Sequence, residues 1–372
     1  MTESVWLVSW GRGNGHITRL VNIATAFAEQ DWDVDLLTHA NATHQTLVDQ
    51  ACIRSVQHYP AWADDADPWT DWSSPEFLSR SVELDRRYLR ELQPSRVVHD
   101  NRLSLTIACL MEGVPFVTLC QDNQIPGFTY DGTVAPIWTA PVDAINAMLQ
   151  TCGLLAIETD ARELFTRGRI AIPSTPELDP VPRSANLDLV YTGPLQRLRN
   201  RASDPVDVLL YRTVGHDEGS FISAFSDWPG RILVATGDEA SSQALEEALR
   251  ATAAEVAPMW DLDEVGPNLA AVVHHGGHGI TTAMITAGIP TVVLPGHNPE
   301  RQSNAERAAM HSASIVLPPP IAQPATWGPA VDVTGDIPAW SVVRDAVDSV
   351  RHTPRRRPGF DTAPTDLVKA LT

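Results

Sequence analysis

Positive charge is scarce in this chain of 372 residues: Lys369 is its only lysine, and 27 Lys and Arg residues stand against 46 Asp and Glu residues. The formal net charge of −19 repels nucleic-acid phosphates and anionic lipid headgroups. We therefore expect neither nucleic acid nor a membrane surface as a partner. Cysteine is also rare, and its four copies lack the paired spacing of a zinc site, so we expect free, buried thiols.

Long apolar runs are missing as well. No run approaches the roughly 20 consecutive apolar residues that a membrane helix needs, and the N-terminus shows no secretory cleavage pattern. These absences predict a soluble, cytoplasmic protein. The length exceeds what one hydrophobic core usually serves, so we expect two domains, in a monomer or a homodimer.

Short apolar runs alternate with helical patterns in both halves of the chain. In the first half we expect strands at 5–10, 34–38, 96–99 and 115–119, with helices at 16–30 and 103–112. In the second half we expect strands at 206–211, 231–236, 270–274 and 291–294, with helices at 219–225 and 241–254. This alternation predicts an α/β fold with two Rossmann-like, doubly wound domains that face each other across a cleft.

A polar segment rich in Arg and Asn separates the two halves and is typical of an interdomain linker. The predicted organisation is an N-terminal domain at 1–195, a linker at 196–205, a second domain at 206–345 and a tail at 346–372.

The stretch from Val272 to Arg307 carries the most specific chemical pattern. An apolar run ends at His275, Gly276 and Gly277, an Ala-rich helical pattern follows, and Gly-Ile-Pro at 288–290 introduces another apolar run. Glycines at such a turn let backbone N–H groups approach an anion, and the helix N-terminus adds partial positive charge. The pattern therefore favours a diphosphate, to which the His275 imidazole can add one more donor.

This segment resembles the donor-binding signature of the GT-B glycosyltransferases, and it is similar to bacterial macrolide and antibiotic glycosyltransferases that use nucleotide sugars. The resemblance implies donor contacts at His275, Gly276, Gly277, Thr281, Gly215 and His216 for the diphosphate, at Glu300, Arg301 and Gln302 for the sugar, and at Trp260 for the nucleobase. It also implies that the first domain binds the acceptor and that the C-terminal tail crosses back to it. Ala283 stands where the commonest signature has a ribose-binding Glu, so UDP and dTDP donors both remain open.

His16 follows the first strand and should project from the carboxyl end of the sheet, where α/β folds bind ligands. The resemblance implies that His16 deprotonates the acceptor hydroxyl and that Asp100, at the end of a later strand, orients it. Alternatively, His16 contacts phosphate or caps a helix, and Asp100 caps the helix that begins near residue 103. Arg19 replaces a proline of many relatives, and its role stays open.

A loop at 59–76 combines Trp62, Trp69 and Trp72 with four aspartates, a composition that disfavours a regular element. The resemblance places this region beside the acceptor, so we predict that the three tryptophans bind it. An alternative is that they pin the loop to the core.

Several other functions remain in competition. The glycines at 11–15 imitate a dinucleotide fingerprint, but His16 occupies the place of its third glycine. Asp65 and Asp67 imitate a metal-binding pair, yet they lie in an irregular loop, and His274 and His275 should point to opposite faces of a strand. The resemblance thus implies an inverting hexosyltransferase for a small-molecule acceptor, and we expect neither a metal nor a cofactor beyond the nucleotide sugar. A nucleotide-sugar epimerase and a non-catalytic auxiliary protein of the same fold are the alternatives.

Overall fold

The computed structural model describes the chain except for residues 1–2, 11–12, 50, 65–70, 131, 182–186, 197, 199–206, 212–217, 238, 251, 320–337, 356–357 and 360–365. The chain divides into two compact units. The first comprises Met1–Leu195 together with Ala363–Thr372, and the second comprises Gln196–Thr362.

The first unit contains a sheet of seven parallel strands in the order β3-β2-β1-β4-β5-β6-β7. The strands are β1 (Ser4–Ser9), β2 (Asp33–Thr38), β3 (Ser55–His58), β4 (Arg96–Asp100), β5 (Phe116–Leu119), β6 (Arg169–Ile172) and β7 (Leu189–Tyr191). The winding reverses between β1 and β4, where Ser9 pairs with Asp100. Such a reversal opens a crevice at the carboxyl ends of the strands, where doubly wound folds bind ligands.

Helices connect these strands. They are α1 (Asn14–Ala28), α2 (Ala42–Val48), α3 (Ala61–Asp64), α4 (Pro75–Leu92), α5 (Leu103–Glu112), α6 (Pro136–Thr139) and α7 (Val142–Thr151). The helix α1 buries Ile17, Leu20, Ile23, Ala24 and Phe27, a spacing of three and four residues that forms one apolar face. This face fixes the beginning of α1 against the sheet, next to the end of β1.

The second unit contains six parallel strands in the order β10-β9-β8-β11-β12-β13, and here the winding reverses between β8 and β11. The strands are β8 (Asp207–Tyr211), β9 (Ile232–Ala235), β10 (Ala254–Ala257), β11 (Leu269–His274), β12 (Thr291–Val293) and β13 (Ser314–Val316). The helices are α8 (Glu218–Phe225), α9 (Glu239–Leu249), α10 (Leu262–Val265), α11 (His278–Ala287), α12 (Pro299–His311) and α13 (Trp340–Arg351).

Both faces of the second sheet are covered by helices. Val208 and Leu210 of β8 pack in a cluster with residues of α8, α9 and α13, whereas Leu209 packs in a separate cluster with residues of α10 and α11. Alternating strand residues thus enter different apolar layers, as expected for a parallel sheet buried on both sides. The predicted α/β class, with two doubly wound parallel sheets, is confirmed.

Three details differ from the expectations. The helix predicted to reach residue 254 ends at Leu249, and Ala254 begins β10. The loop predicted at 59–76 contains α3 and the start of α4, because Ser74 caps that helix and Pro75 occupies its first turn. The boundary predicted after residue 345 lies inside α13, whose apolar face continues through Val347 and Val350.

The last residues form α14 (Leu367–Leu371), which packs against α1 within the first unit. All four cysteines are unpaired, but only Cys109 and Cys120 are buried, so the expectation of buried thiols is wrong for Cys52 and Cys152. Across the described ranges, no helix is both long enough and apolar enough to cross a bilayer.

Candidate functional site

The reversal point of the first sheet brings His16 and Asp100 together. His16 lies in the first turn of α1, and Asp100 is the last residue of β4. The Nδ1 atom of His16 is 2.9 Å from Oδ2 of Asp100, whose side chain is fully buried while that of His16 is 21% exposed. In the tautomer that carries its proton on Nδ1, toward the carboxylate, Nε2 is the ring nitrogen that can take a proton from a substrate.

Arg19, whose role the sequence left open, joins this pair. Its Nη2 atom lies 2.8 Å from Oδ2 of Asp100 and 3.0 Å from Nδ1 of His16. Burial alone would raise the pKa of Asp100, but the Arg19 guanidinium and His16 outweigh it and hold that pKa below its usual value. Asp100 is therefore a carboxylate at neutral pH, and the Asn101 side-chain amide donates to its other oxygen over 3.0 Å.

The alternative in which Asp100 caps the next helix is wrong. The cap position of α5 belongs to Arg102, and no side chain bonds to the helix there. The backbone N–H of Arg102 instead donates to Nδ1 of His99, over 3.2 Å. Burial lowers the pKa of His99 to about 3, so this imidazole is neutral and acts as an acceptor for the turn after β4.

The reversal point of the second sheet holds the glycine turn at the end of β11. Gly276 has a φ of +84°, and a Cβ atom there would lie 2.8 Å from the backbone oxygen of Arg301, so only glycine fits. The N–H of Gly276 donates to Nδ1 of His274 over 3.1 Å. This N–H thus has a partner within the fold, and its predicted contact with a diphosphate stays a prediction. Gly215 and His216 lie outside the described residues.

The beginning of α11 offers other backbone donors. Gly277 is the cap residue, no side chain bonds to the helix end, and the first turn contains no acidic residue. The first N–H groups of a helix have no intrahelical partner and carry partial positive charge. The hydroxyl of Thr281 donates to the backbone oxygen of Gly277 over 2.8 Å, and its predicted contact with a phosphate stays a prediction.

His275 lies against this helix end. A Cβ atom on Gly277 would come within 2.8 Å of its Nε2 atom, so the imidazole covers the glycine. Burial, reinforced by the Arg301 guanidinium, holds the pKa of His275 well below its usual value. His275 is therefore neutral near pH 7 and can offer one N–H to an anion rather than a full charge.

The predicted sugar contacts Glu300, Arg301 and Gln302 share the first turn of α12, which Asn298 caps by accepting from the Arg301 N–H over 3.2 Å. Gln302 donates to the backbone oxygen of Gly296 over 3.0 Å. Burial lowers the pKa of Arg301, and neighbouring Glu300 opposes this effect. The backbone of Arg301 also borders Gly276, so the turn that carries these residues adjoins the glycine turn.

One residue at this turn received no role from the sequence. The buried side chain of Asn304 donates to the backbone oxygen of Gly276 over 2.9 Å. Its oxygen accepts from Nη1 of Arg307 over 3.1 Å. This contact depends on how α12 packs against the glycine turn, so no local sequence pattern predicts it.

Trp260 is half-buried and donates its indole N–H to the backbone oxygen of Val234 over 3.1 Å. It packs against the apolar cluster that contains Ala283, as do Tyr211 and Ile280. Tyr211 ends β8 and Ile280 lies in the first turn of α11. Trp260 therefore belongs to an apolar rim near the reversal point, and Ala283, 1% exposed, lies in the cluster beneath it.

The three tryptophans predicted to bind an acceptor differ in environment. Trp72 is 4% exposed, and its ring centre lies 4.9 Å from that of Trp10, so the structure places it in the interior, contrary to the predicted lining role. Trp62 is partly exposed, and the Arg80 guanidinium lies 4.3 Å from its ring centre. Trp69 lies outside the described residues, as do Asp65 and Asp67. Elsewhere in the described chain, no three His, Cys, Asp or Glu side chains are grouped to hold a metal ion.

Comparison with known proteins matches residues 227–369 to the family model described as erythromycin biosynthesis protein CIII-like, C-terminal domain. A PGL/p-HBAD biosynthesis glycosyltransferase of Mycobacterium tuberculosis is 24% identical over 275 residues, which cover 64% of this chain and 63% of the relative. The match thus spans less than two thirds of that relative. An L-demethylnoviosyl transferase of Streptomyces niveus is 32% identical over 126 residues, or 34% of this chain and 32% of that protein.

Among solved structures, the glycosyltransferase VinC in complex with dTDP superposes with a TM-score of 0.61, at 17% identity, over 95% of this chain and 92% of that one. This similarity establishes the fold. The resemblance to GT-B glycosyltransferases predicted from the sequence is thereby confirmed, in fold for nearly the whole chain and in sequence most clearly for the second unit.

Proposed function

We propose that the chain is an inverting glycosyltransferase that moves a hexose from a UDP- or dTDP-sugar to a hydroxyl of a small natural product, without a metal ion. The observation that carries the proposal is the contact of 2.9 Å between Nδ1 of His16 and Oδ2 of Asp100 at the reversal point of the first sheet. The similarity to named glycosyltransferases supports the same reaction class.

The base chemistry follows from that pair. Nε2 of His16 takes the proton of the acceptor hydroxyl while the hydroxyl oxygen forms a bond to the anomeric carbon. The carboxylate of Asp100 stabilises the imidazolium that results and fixes the ring, as a carboxylate behind a histidine base does. Positioned general bases of this kind typically accelerate proton transfer by about 10²–10⁴.

The leaving-group chemistry belongs to the second unit. The bond between the anomeric carbon and the diphosphate oxygen breaks with its electron pair on that oxygen. Backbone N–H groups at the beginning of α11 and the neutral imidazole of His275 meet the resulting negative charge. Glu300 and Gln302, in the first turn of α12, are proposed to hold the sugar hydroxyls.

The test is a turnover screen of UDP- and dTDP-hexoses against hydroxylated metabolites, read as released nucleotide diphosphate and as glycoside by mass spectrometry. We expect a glycoside of inverted anomeric configuration by NMR, with a rate unchanged by EDTA. The variants His16→Ala and Asp100→Asn should bind the donor but turn over near background.

Two results would overturn this assignment. Full turnover by His16→Ala would remove the proposed base. Conversion of the nucleotide sugar to an isomer in the absence of any acceptor would identify an epimerase instead.

A further inference from the structure

We infer that His274 and Asn304 are positioning residues that clamp the two peptide groups flanking Gly276, so that the donor diphosphate meets correctly aimed N–H groups at the start of α11. This inference rests on the proposed function and deepens it. The bond from the Gly276 N–H to His274 and the bond from Asn304 to the Gly276 oxygen carry it.

His274 holds the first of these peptide groups. The residue ends β11 and is fully buried. Because a backbone N–H can only donate, Nδ1 of His274 must carry the lone pair, and the proton of the neutral ring sits on Nε2. Burial lowers the pKa of His274 to about 3, which is consistent with a neutral ring.

A polar side chain at this place costs stability. Within the described part of the chain, Nε2 of His274 is buried without a hydrogen-bond partner, and such an atom is expensive to keep from water. Valine or leucine would fill the end of a buried strand without that cost. The hydrogen bond to the Gly276 N–H gives a physical reason for a histidine here.

Asn304 holds the second peptide group. The side chain is 2% exposed, and Arg307 lies beside it, 8% exposed. Because a guanidinium can only donate, the oxygen of Asn304 faces Arg307, and its NH2 group therefore faces the Gly276 carbonyl. Arg307 also donates to the Ser303 hydroxyl over 3.0 Å. This second bond fixes the guanidinium, which in turn fixes the orientation of the Asn304 amide.

Peptide planarity links this contact to the anion site. The carbonyl of Gly276 and the N–H of Gly277 belong to the same trans peptide, so they point in opposite directions. Asn304, bound to the carbonyl, therefore fixes the N–H of Gly277 to point away from α12. A bond to the carbonyl also polarises the peptide and strengthens its N–H as a donor. Both effects should strengthen the binding of a diphosphate, and neither should change the affinity for a nucleoside.

The experiment compares nucleotide with nucleoside affinity in matched variants. His274→Leu and Asn304→Leu each remove one bond, whereas His274→Asn keeps an acceptor oxygen near the former position of Nδ1. Isothermal titration measures UDP and dTDP, and ligand-observed NMR measures uridine and thymidine. We expect each leucine variant to lose about tenfold in diphosphate affinity, with nucleoside affinity unchanged within about twofold and His274→Asn close to the parent.

Equal losses for nucleotide and nucleoside, or no loss in either leucine variant, would overturn the clamp. Hydrogen exchange of the peptide that contains Gly276 provides a readout that needs no ligand, and exchange should be slow in the parent and in His274→Asn but fast in His274→Leu. If the parent binds neither nucleotide, the proposed function fails, and the exchange data alone decide whether the clamp exists. Unchanged exchange in His274→Leu would contradict it.

Discussion

The two reversal points of the molecule share one local feature, a buried histidine at the end of a strand that accepts a backbone N–H of the next turn. The last two residues of β4 are His99 and Asp100, and β11 ends in His274, next to His275. Both His99 and His274 are buried, and each accepts a backbone N–H of the following turn at Nδ1, over 3.2 and 3.1 Å. In both cases a neutral imidazole holds the turn by this hydrogen bond. The next residue, Asp100 or His275, belongs to the proposed site.

The difference lies in what the turn presents. The first unit presents side chains, namely the His16 ring with Asp100 and Arg19 behind it. The second unit presents main-chain N–H groups at an uncapped helix end. Proton abstraction needs a titratable group, whereas stabilising a leaving diphosphate needs fixed dipoles. Under the proposed function, the same kind of reversal point serves both tasks, and the residues at the turn decide which task each unit performs.

The largest expected effect is a loss of turnover at the first reversal point that leaves nucleotide binding at the second unchanged. His16→Ala removes the proposed base, so we expect kcat to fall by about 10²–10⁴ while the affinity for UDP or dTDP stays unchanged. His58→Ala, at an exposed histidine of the same unit, is the control and should leave both quantities intact. A parallel loss of nucleotide affinity in His16→Ala would show that this histidine contacts the donor.

The next effect concerns the glycine turn. Gly276→Ala forces a side chain into a φ of +84° and against the Arg301 backbone at 2.8 Å, so the turn must shift. We expect UDP or dTDP affinity to fall roughly 10- to 100-fold, since the strain is worth about 1–3 kcal/mol. Gly277 has a φ of −60°, so Gly277→Ala adds no backbone strain and meets only the side chain of His275, and it should cost less.

Gly359→Ala, at an exposed glycine of the same unit, is the matched control for these variants, because an added Cβ meets nothing within 4 Å. Its nucleotide affinity, measured by titration calorimetry beside the other two, should equal that of the parent. Normal nucleotide affinity in Gly276→Ala would show that the diphosphate binds elsewhere.

The two buried histidines, His99 and His274, predict how the free energy of unfolding depends on pH. Burial lowers the pKa of His99 and of His274 to about 3, whereas an unfolded histidine titrates near ~6.5. As pH falls below ~6.5, the unfolded chain binds protons that the folded chain refuses, so stability declines toward pH 3. Each histidine should contribute a slope of about 1.4 kcal/mol per pH unit in this window.

Denaturant unfolding between pH 7 and pH 4 measures this slope. His99→Asn keeps an acceptor for the Arg102 N–H but does not titrate. The free energy of unfolding of this variant should therefore change with pH less steeply than that of the parent, by the contribution of one histidine, about 1.4 kcal/mol per pH unit. An identical slope in parent and variant would mean that His99 is protonated in the folded state.

The smallest effect concerns Arg19. Arg19 is the largest influence that lowers the pKa of Asp100 against the opposing effect of burial. Arg19→Met should raise this pKa, so that Asp100 becomes protonated at higher pH and ceases to support His16. We expect a few-fold loss of kcat/KM near pH 6 and a smaller one at pH 8, read from the pH profile. A uniform loss at all pH values would instead indicate a packing role.

Much of the frame was predictable because periodicity and glycine turns are local signals. The helix at 103–112 matches α5, and His16 and Asp100 fall at a reversal point as the resemblance implies. The strand β10 was missed because its residues continue the Ala- and Glu-rich pattern of α9. Nothing in the local sequence separates the two elements clearly.

The hydrogen-bond partners of the site were not predictable in the same way. The engagement of the Gly276 N–H by His274 depends on a ring tautomer and on the conformation of one turn. The approach of Arg19 to Asp100 depends on how α1 packs beside β4. Both contacts are tertiary, so spacing along the chain carries no record of them.

The most direct measurement is a crystal structure of the protein soaked with UDP or dTDP. The account predicts phosphate oxygens at hydrogen-bond distance, about 2.7–3.2 Å, from the N–H groups of Gly277, His278 and Gly279. A diphosphate bound instead at the glycine turn of residues 11–15 would contradict it.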